Sequence, residues 1–221
     1  MRQVIGQRLQ QSVTTSPHFF MTVAIDMTEA LAWREQVNKL LEGEGVKLTV
    51  NDLVIKAVTN ALVRHPEINV TVSDKGITRQ SAVNIGIAVA LPDGLLTPVI
   101  QNAQQKTLTQ LSQEAKAAGE RARQNKLKPE DMGAGTFTIS NVGAKGVEVE
   151  HFTAIINPPQ AAILAVASAL PQVVVQDGEM VIRTIMRVTL SSDHRVIDGA
   201  MAAQFLQTLK AQLENPQRMV L

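Results

Sequence analysis

The constraint that weighs most on this chain is a change of hydrophobic period with no regular strand–helix–strand rhythm around it. Val50, Leu53, Val54, Ala57, Val58, Ala61 and Leu62 recur at helical spacing and form one apolar stripe. Thr49 and Asp52 frame its start as a capping box, with Asp where Glu is usual. Further on, Val83, Ile85, Ile87 and Val89 alternate with Asn84, Gly86, Ala88 and Ala90, which is the period of a strand with one bulky and one small face. The small face leaves room for a close neighbour, either a helix or a ligand channel.

The other segments divide in the same way. Val4, Ile5 and Leu9 share one face of a short opening helix, with Arg2 and Arg8 elsewhere on its surface. Ser16-Pro17-His18 breaks it, and 19–25 reads as a strand. Helices are expected over 27–41, 49–63 and 107–127, the last with Leu108, Leu111, Ala115 and Ala118 as its buried edge. A final helix near Ala200 carries Ala202, Phe205, Leu206, Leu209 and Leu213 at helical spacing. Pro92-Asp93-Gly94 forms a turn into a strand over 95–101. Further strands are expected at 137–140, 161–167, 173–175 and 182–191. Mixed helices and strands in this order predict an α+β fold, a two-layer sandwich with a mixed sheet and helices on one face, not a doubly wound sheet. No Pro/Gly/Ser linker interrupts the chain, so 1–221 reads as a single domain. A chain of this size buries roughly 70% of its unfolded surface.

Composition excludes several kinds of function. With 21 Lys plus Arg against 20 Asp plus Glu, the formal charge is +1, and only five Phe and one Trp are aromatic. Nucleic-acid binding by a basic face or by stacking is therefore not expected. Zero Cys removes disulfides, thiolate-held metals and a protein thiolate nucleophile. No apolar run approaches the ~20 residues of a membrane span, and the first residues lack a secretory signal, so the expected setting is the cytoplasm or an organelle matrix. Gly133-Ala-Gly135 and Gly143 to Gly146 match neither GxGxxG nor the P-loop, and read as turns, with backbone flexibility needed at a strand exit. The four His are scattered and no HExxH occurs, so no metal site is expected. His65, before Pro66, reads as a surface or capping residue, His18 as packed at a strand start, and His151 as solvated.

His194 differs from these, because it stands where a strand gives way to a helix, a rigid but accessible place that suits a general base. The bland reading is a junction His with Asp198 capping the next helix. Asp193-His194-Arg195-Val196-Ile197-Asp198-Gly199 resembles the DHRxxDG signature of the dihydrolipoamide acyltransferases, the core component of 2-oxoacid dehydrogenase complexes, and more loosely the HxxxDG motif of chloramphenicol acetyltransferase. Gly135-Thr-Phe-Thr-Ile-Ser140-Asn-Val-Gly143 is similar to the family's GTFTISNLG. Residues 152–166 are similar to FTAIINPPQxAILAV, 93–99 to DGLITPI, and the opening Arg2 to Leu9 to RxxIAxRL. Five motifs in order span the whole chain.

The resemblance implies a chloramphenicol acetyltransferase-like fold and acyl transfer between the thiols of dihydrolipoamide and coenzyme A, which are substrates; this chain carries no lipoyl turn and no lipoyl or peripheral-subunit-binding domain. It assigns His194 as the base for the attacking thiol and Ser140 as hydrogen-bond donor to the oxyanion. Asp198 takes a positioning role, and Arg8 is its expected arginine partner and the one candidate for cofactor contact. Ser140 and His194, 54 residues apart, are implied to meet across the subunit boundary of a trimer, and trimers to build a cubic or dodecahedral core with the tail at Met219-Val-Leu221 docking them. The implied partners are lipoyl domains, a 2-oxoacid decarboxylase and dihydrolipoamide dehydrogenase. Acetyl is the acyl group favoured, ahead of branched-chain acyl and succinyl; a non-catalytic scaffold subunit is the alternative. The sequence departs from the family in having Val70-Thr71-Val72 after Pro66-Glu67-Ile-Asn69, where an aromatic is usual, and in a longer loop between Gly143 and Phe152.

Overall fold

The structure is a computed structural model that describes residues 2–92, 94–143 and 147–220, without the side chain of Val4. The expected turn at Asp93, the loop through Gly146, the last residue of the tail and the place of Val4 on its helix lie outside the described residues.

The centre is α3 (Val50–Arg64), whose capping box forms as the sequence predicts. Thr49 Oγ1 accepts from the Asp52 N–H, and Asp52 Oδ2 accepts from the Thr49 N–H at 2.7 Å. The same carboxylate oxygen takes the Ser112 hydroxyl, so a buried acid joins α3 to α4 (Leu108–Arg123). Burial extends past the stripe to Ile55 and Thr59, because α3 is covered on several sides. α6 (Gly199–Glu214) and α4 flank it, α2 (Thr28–Leu40) packs on α6, and Phe137 meets Phe205 with ring centroids 5.8 Å apart. The opening helix α1 spans Arg2–Thr15, and a single turn, α5, spans Pro129–Met132.

The helices lie on a six-stranded mixed sheet, so the two-layer α+β expectation holds. In chain order the strands are β1 (His18–Asp26), β2 (Val70–Ser73), β3 (Gly76–Arg79), β4 (Ile85–Ile87), β5 (Val89–Leu91), β6 (Gly94–Leu96), β7 (Val99–Ile100), β8 (Phe137–Asn141), β9 (Ala162–Gln176) and β10 (Glu179–Asp193). The large sheet runs β1-β10-β9-β8-β4-β7, with β8 parallel to both neighbours and the remaining pairs antiparallel. β2–β3 and β5–β6 are separate hairpins.

Several strand boundaries depart from expectation for local reasons. The alternating segment 83–90 is two strands: Ala88 turns aside to bond Ile139, so β4 and β5 join different sheets. Pro98 splits 95–101 in the same way, since it has no N–H for a ladder. Residues 161–167 and 173–175 belong to one 15-residue strand, β9, because β10 pairs with it throughout. The turn joining them is Asp177-Gly178, both at positive φ, an Asp-Gly hairpin signal present in the sequence. The small face of β4 admits side chains, not a helix: a Cβ on Gly86 would meet Thr97 Cγ2 at 2.8 Å and Thr138 Oγ1 at 3.0 Å. Gly143 also proves to be a matter of space, not flexibility. Its φ is ordinary, and an added Cβ would collide with the backbone of Ala167 and Ser168.

Candidate active site

β10 ends at Asp193, and the chain makes one tight turn before α6. The Asp193 carbonyl accepts from the N–H groups of Val196 and Ile197, and the Asp193 carboxylate holds Arg195 in a fork, with Nη2 at 2.6 Å and Nε at 2.9 Å. Arg195 Nη2 also donates to Ser16 Oγ at 3.2 Å. Burial alone would push the Asp193 carboxyl up; hydrogen bonds from the Arg195 side chain and backbone and from Ser16 outweigh it and hold the carboxyl below the usual range. The same pair raises Arg195 further above its ordinary value, chiefly through the hydrogen bonds to Asp193. The fork rigidifies the residue between them.

That residue is His194. Its backbone N–H donates to the Pro17 carbonyl at 2.9 Å, and its ring lies against Phe19, centroids 5.0 Å apart. The imidazole is exposed and makes no side-chain hydrogen bond to any described residue. Both ring nitrogens are thus open to a ligand, as a general base requires. Asp198 is the N-cap of α6, and its Oδ1 accepts from the Met201 N–H at 2.9 Å. The expected Arg8–Asp198 pair does not form within the chain. Arg8 lies on α1 and donates through Nη2 to the Pro158 carbonyl, while Asp198 is already engaged by the helix N-terminus.

The other three histidines are tied into the fold. His18 Nδ1 bonds the Ser16 carbonyl and Nε2 accepts from the Ile156 N–H, which fixes the ring at a strand start. His65 is more than a surface residue: it caps α3 and joins Glu67 to Thr208 of α6. His151 is exposed, with Nε2 3.2 Å from Thr22 Oγ1.

Ser140 lies near the end of β8, half-buried, on the sheet face away from the helices. The register sets it in line with Ala165 of β9, Thr189 of β10 and Thr22 of β1. From Thr189, His194 is five residues further on and Ser140 two strands across. At about 3.3 Å per residue and 4.8 Å per strand, the two are on the order of 19 Å apart. One chain therefore does not bring Ser140 and His194 together.

Two cavities flank β8. One, of about 1090 Å³, is lined by Arg34, Lys39, Lys47, Lys116 and Arg123, and by Asn51, which accepts from the Asn141 amide at 3.1 Å. Arg34 Nε there is buried with no partner among the described residues, as is Asn141 Oδ1. The other, of about 310 Å³, is lined by Arg8, Gln80, Asn84 and Gln160, the last accepting from Thr138 Oγ1 at 2.6 Å. Sequence reasoning missed Asn51, Asn141 and Gln160; the last two stand inside quoted motifs, whereas Asn51 has no local signal beyond its place in the first turn of α3.

Comparison with known proteins adds to this geometry. The family model of the 2-oxoacid dehydrogenases acyltransferase catalytic domain matches residues 1–221. The mitochondrial dihydrolipoyllysine-residue acetyltransferase component of the pyruvate dehydrogenase complex of Schizosaccharomyces pombe is 48% identical over 224 residues, covering 100% of this chain and 46% of that protein. The chain thus spans about half the length of such relatives. Dihydrolipoamide acetyltransferase of Azotobacter vinelandii, solved to investigate a serine, a histidine and an asparagine in its catalytic mechanism, superposes with a TM-score of 0.93 at 39% identity, covering 100% of this chain and 90% of that one. In that protein the serine precedes the histidine by 52 positions and the asparagine follows it by four. A structure of the cubic core of the pyruvate dehydrogenase multienzyme complex gives the same TM-score, identity and coverage. Chloramphenicol acetyltransferase, at 14% identity and a TM-score of 0.61 over 94% of each chain, shares the fold.

Proposed function

The chain belongs to the 2-oxoacid dehydrogenase acyltransferase family, and from that premise we propose that it moves an acetyl group between coenzyme A and the thiol of dihydrolipoamide, as the single catalytic domain of a pyruvate dehydrogenase core. The observation that carries this reading is the turn at 193–199: an imidazole with both nitrogens unengaged, braced by the Asp193–Arg195 fork and followed four residues later by the cap Asp198. The relative's histidine and asparagine keep that four-residue spacing, and its serine lies 52 positions before its histidine against 54 here.

The chemistry follows from the thiols. A free thiol has a pKa near 8.5, so little thiolate exists at neutral pH. His194 takes the S–H proton as the sulfur attacks the thioester carbonyl. A C–S bond forms, and the carbonyl oxygen becomes an oxyanion that accepts a hydrogen bond from Ser140. Collapse breaks the original C–S bond, and the departing sulfur recovers the proton from His194. With no Cys in the chain, both sulfurs are the substrates', and transfer proceeds directly in a ternary complex. The larger cavity suits the phosphates of coenzyme A, since five cations line it against three carboxylates, Glu35, Glu42 and Asp52, and Arg34 Nε lacks a partner among the described residues. Asp198 keeps the turn at α6 in place. The partners on this reading are further copies of the chain, the lipoyl domains, the 2-oxoacid decarboxylase and dihydrolipoamide dehydrogenase, in the cytoplasm or the mitochondrial matrix.

The test is acetyl transfer from acetyl-CoA to dihydrolipoamide by the assembled protein, with isobutyryl- and succinyl-CoA as competitors. The expected order of kcat/KM is acetyl first. His194→Ala lowers turnover by orders of magnitude with assembly intact. An assembled, inactive wild type would refute the enzyme reading, and unchanged turnover in the variant would refute the base.

A further inference from the structure

Beyond β8 the chain stays against the strand beside it. Val142 donates to the Val166 carbonyl, and Gly143 lies so close to Ala167 and Ser168 that a Cβ there would meet their backbone. At residues 147–149 the chain is held at the same place. Ser168 is buried; its Oγ donates to the Val147 carbonyl at 3.0 Å and accepts from the Val149 N–H at 3.1 Å. Its own N–H donates to the Val149 carbonyl at 2.9 Å. A serine hydroxyl offers a donor and an acceptor on one short arm, and here both serve the backbone of a single loop.

From there the chain crosses the sheet. Val149 lies beside β9, yet two residues later His151 stands over β1, with Nε2 3.2 Å from Thr22 Oγ1. β10 lies between β9 and β1, so the segment passes over it as a strap. Thr22 Oγ1 is also 2.8 Å from Thr189 Oγ1, and Thr22, Thr189, Ala165 and Ser140 form one row on the sheet face away from the helices. The two anchors therefore bracket the surroundings of Ser140. His151 lands on that row, and Ser168 is three residues past Ala165 on β9, on the order of 10 Å along the strand. Val147, Glu148, Glu150 and His151 are exposed, so core packing does not fix the strap; its hydrogen bonds do. The strap also lies in the loop where this chain departs from the family form.

We infer that Ser168 is a positioning residue for the reaction: it holds segment 147–151 as a strap, with His151 as the far anchor, and through the strap it fixes the end of β8 where Ser140 stands. The connection is short. Ser140 is followed by Asn141 and Val142, whose ties to β9 end at Val166, and by Gly143, which rests on the backbone of Ala167 and Ser168. Releasing the loop at Ser168 lets that strand end shift. A hydroxyl aimed at an oxyanion is worth most when held in place, and a displacement on the order of 1 Å removes much of its effect. Because Ser168 acts through Ser140 and not on a substrate, its loss falls on kcat and not on KM. The catalytic half of this inference rests on the proposed acyl transfer; the strap itself does not.

Ser168→Ala removes the Oγ and keeps the strand. Hydrogen–deuterium exchange of the assembled protein is expected to quicken over 147–152 and to stay unchanged over α3. In acetyl transfer kcat is expected to fall about tenfold, with KM for acetyl-CoA and for dihydrolipoamide within about twofold of the wild type. In a Ser140→Ala background the same change is expected to lower kcat by less than about twofold, because its effect passes through that hydroxyl. Ser168→Thr keeps the Oγ and is expected to restore both slow exchange and turnover. If Ser168→Ala loosens α3 as well, His151→Ala decides, since it removes only an exposed side chain. Faster exchange over 150–152 is then expected, with a fall in kcat of about threefold that vanishes in the Ser140→Ala background. Unchanged exchange of the strap overturns the inference, as does a change in KM alone or an equal loss of kcat in both backgrounds. A wild type that assembles but transfers no acyl group would refute the acyl-transfer reading and the catalytic half with it, while the exchange result would still decide whether Ser168 holds the strap.

Discussion

Removing the Arg195 guanidinium tests how the turn that carries His194 is held. The Asp193 side chain is 1% exposed and that of Arg195 44%, so the pair is buried on one side only. Arg195→Ala leaves a buried carboxylate that has lost its bidentate partner. Breaking a buried pair in this way costs 3–5 kcal/mol; with one wall open to water, about 3 kcal/mol is expected. Asp193→Ala strands only a half-exposed guanidinium, which water can solvate, and the expected cost is about 2 kcal/mol. In the double variant no charge is left unpaired. Its cost is expected to stay near about 3 kcal/mol, a coupling of about 2 kcal/mol between the two positions. The assay is urea unfolding of the four proteins at one protomer concentration, since assembly contributes to apparent stability. Turnover is measured beside it and is expected to fall in both single variants, because the residue between them loses its brace. Single-variant costs that simply add would show that the fork does not hold the turn and would refute the reasoning.

Acid unfolding should report the same carboxylate. Its folded pKa is depressed from 3.8, so its contribution is complete above that value and is lost as pH falls through the folded pKa; stability against pH below about 4 is expected to fall less steeply in Asp193→Ala than in the wild type. Ser140→Ala removes the proposed donor to the oxyanion. A fall in kcat of about 10²–10³ with little change in KM is expected from steady-state kinetics, and a pure KM effect would count against the role. Gly143→Ala forces a Cβ into the backbone of Ala167, and a loss of about 1–3 kcal/mol in urea, with reduced turnover as the end of β8 shifts, is expected. Phe19→Leu keeps bulk but removes the ring against His194; a kcat drop of up to about tenfold, with unchanged assembly by sedimentation, follows from a ring contact of about 1 kcal/mol.

Much of the fold is legible in local pattern. The stripe and capping box of α3, the apolar spacing of α6 and the mixed order of elements are short-range properties that a linear reading can see. The elements that escaped such a reading depend on partners far away in the chain. Residues 161–175 look like two strands until β10 is laid along them; 83–90 looks like one until Ala88 bonds Ile139. The hairpin β2–β3 is short: Val70 and Val72 alternate over only four residues, and its second strand is wholly exposed, so the pattern is too brief to stand out.

The site divides in the same way. The proposed site residues His194, Ser140 and Asp198 are named from sequence alone, through motifs whose residue types and spacing resemble those of the family. So is the absence of a protein thiol, which on the proposed reaction leaves both sulfurs to the substrates. Where those residues stand is a matter of register. The pairing of β8, β9 and β10 keeps Ser140 and His194 apart within one chain and brings the Ala167 backbone onto Gly143, while the packing of α1 gives Arg8 to the Pro158 carbonyl. Strand register joins residues far apart in the chain through packing of whole elements, and no local pattern of residues encodes that distance.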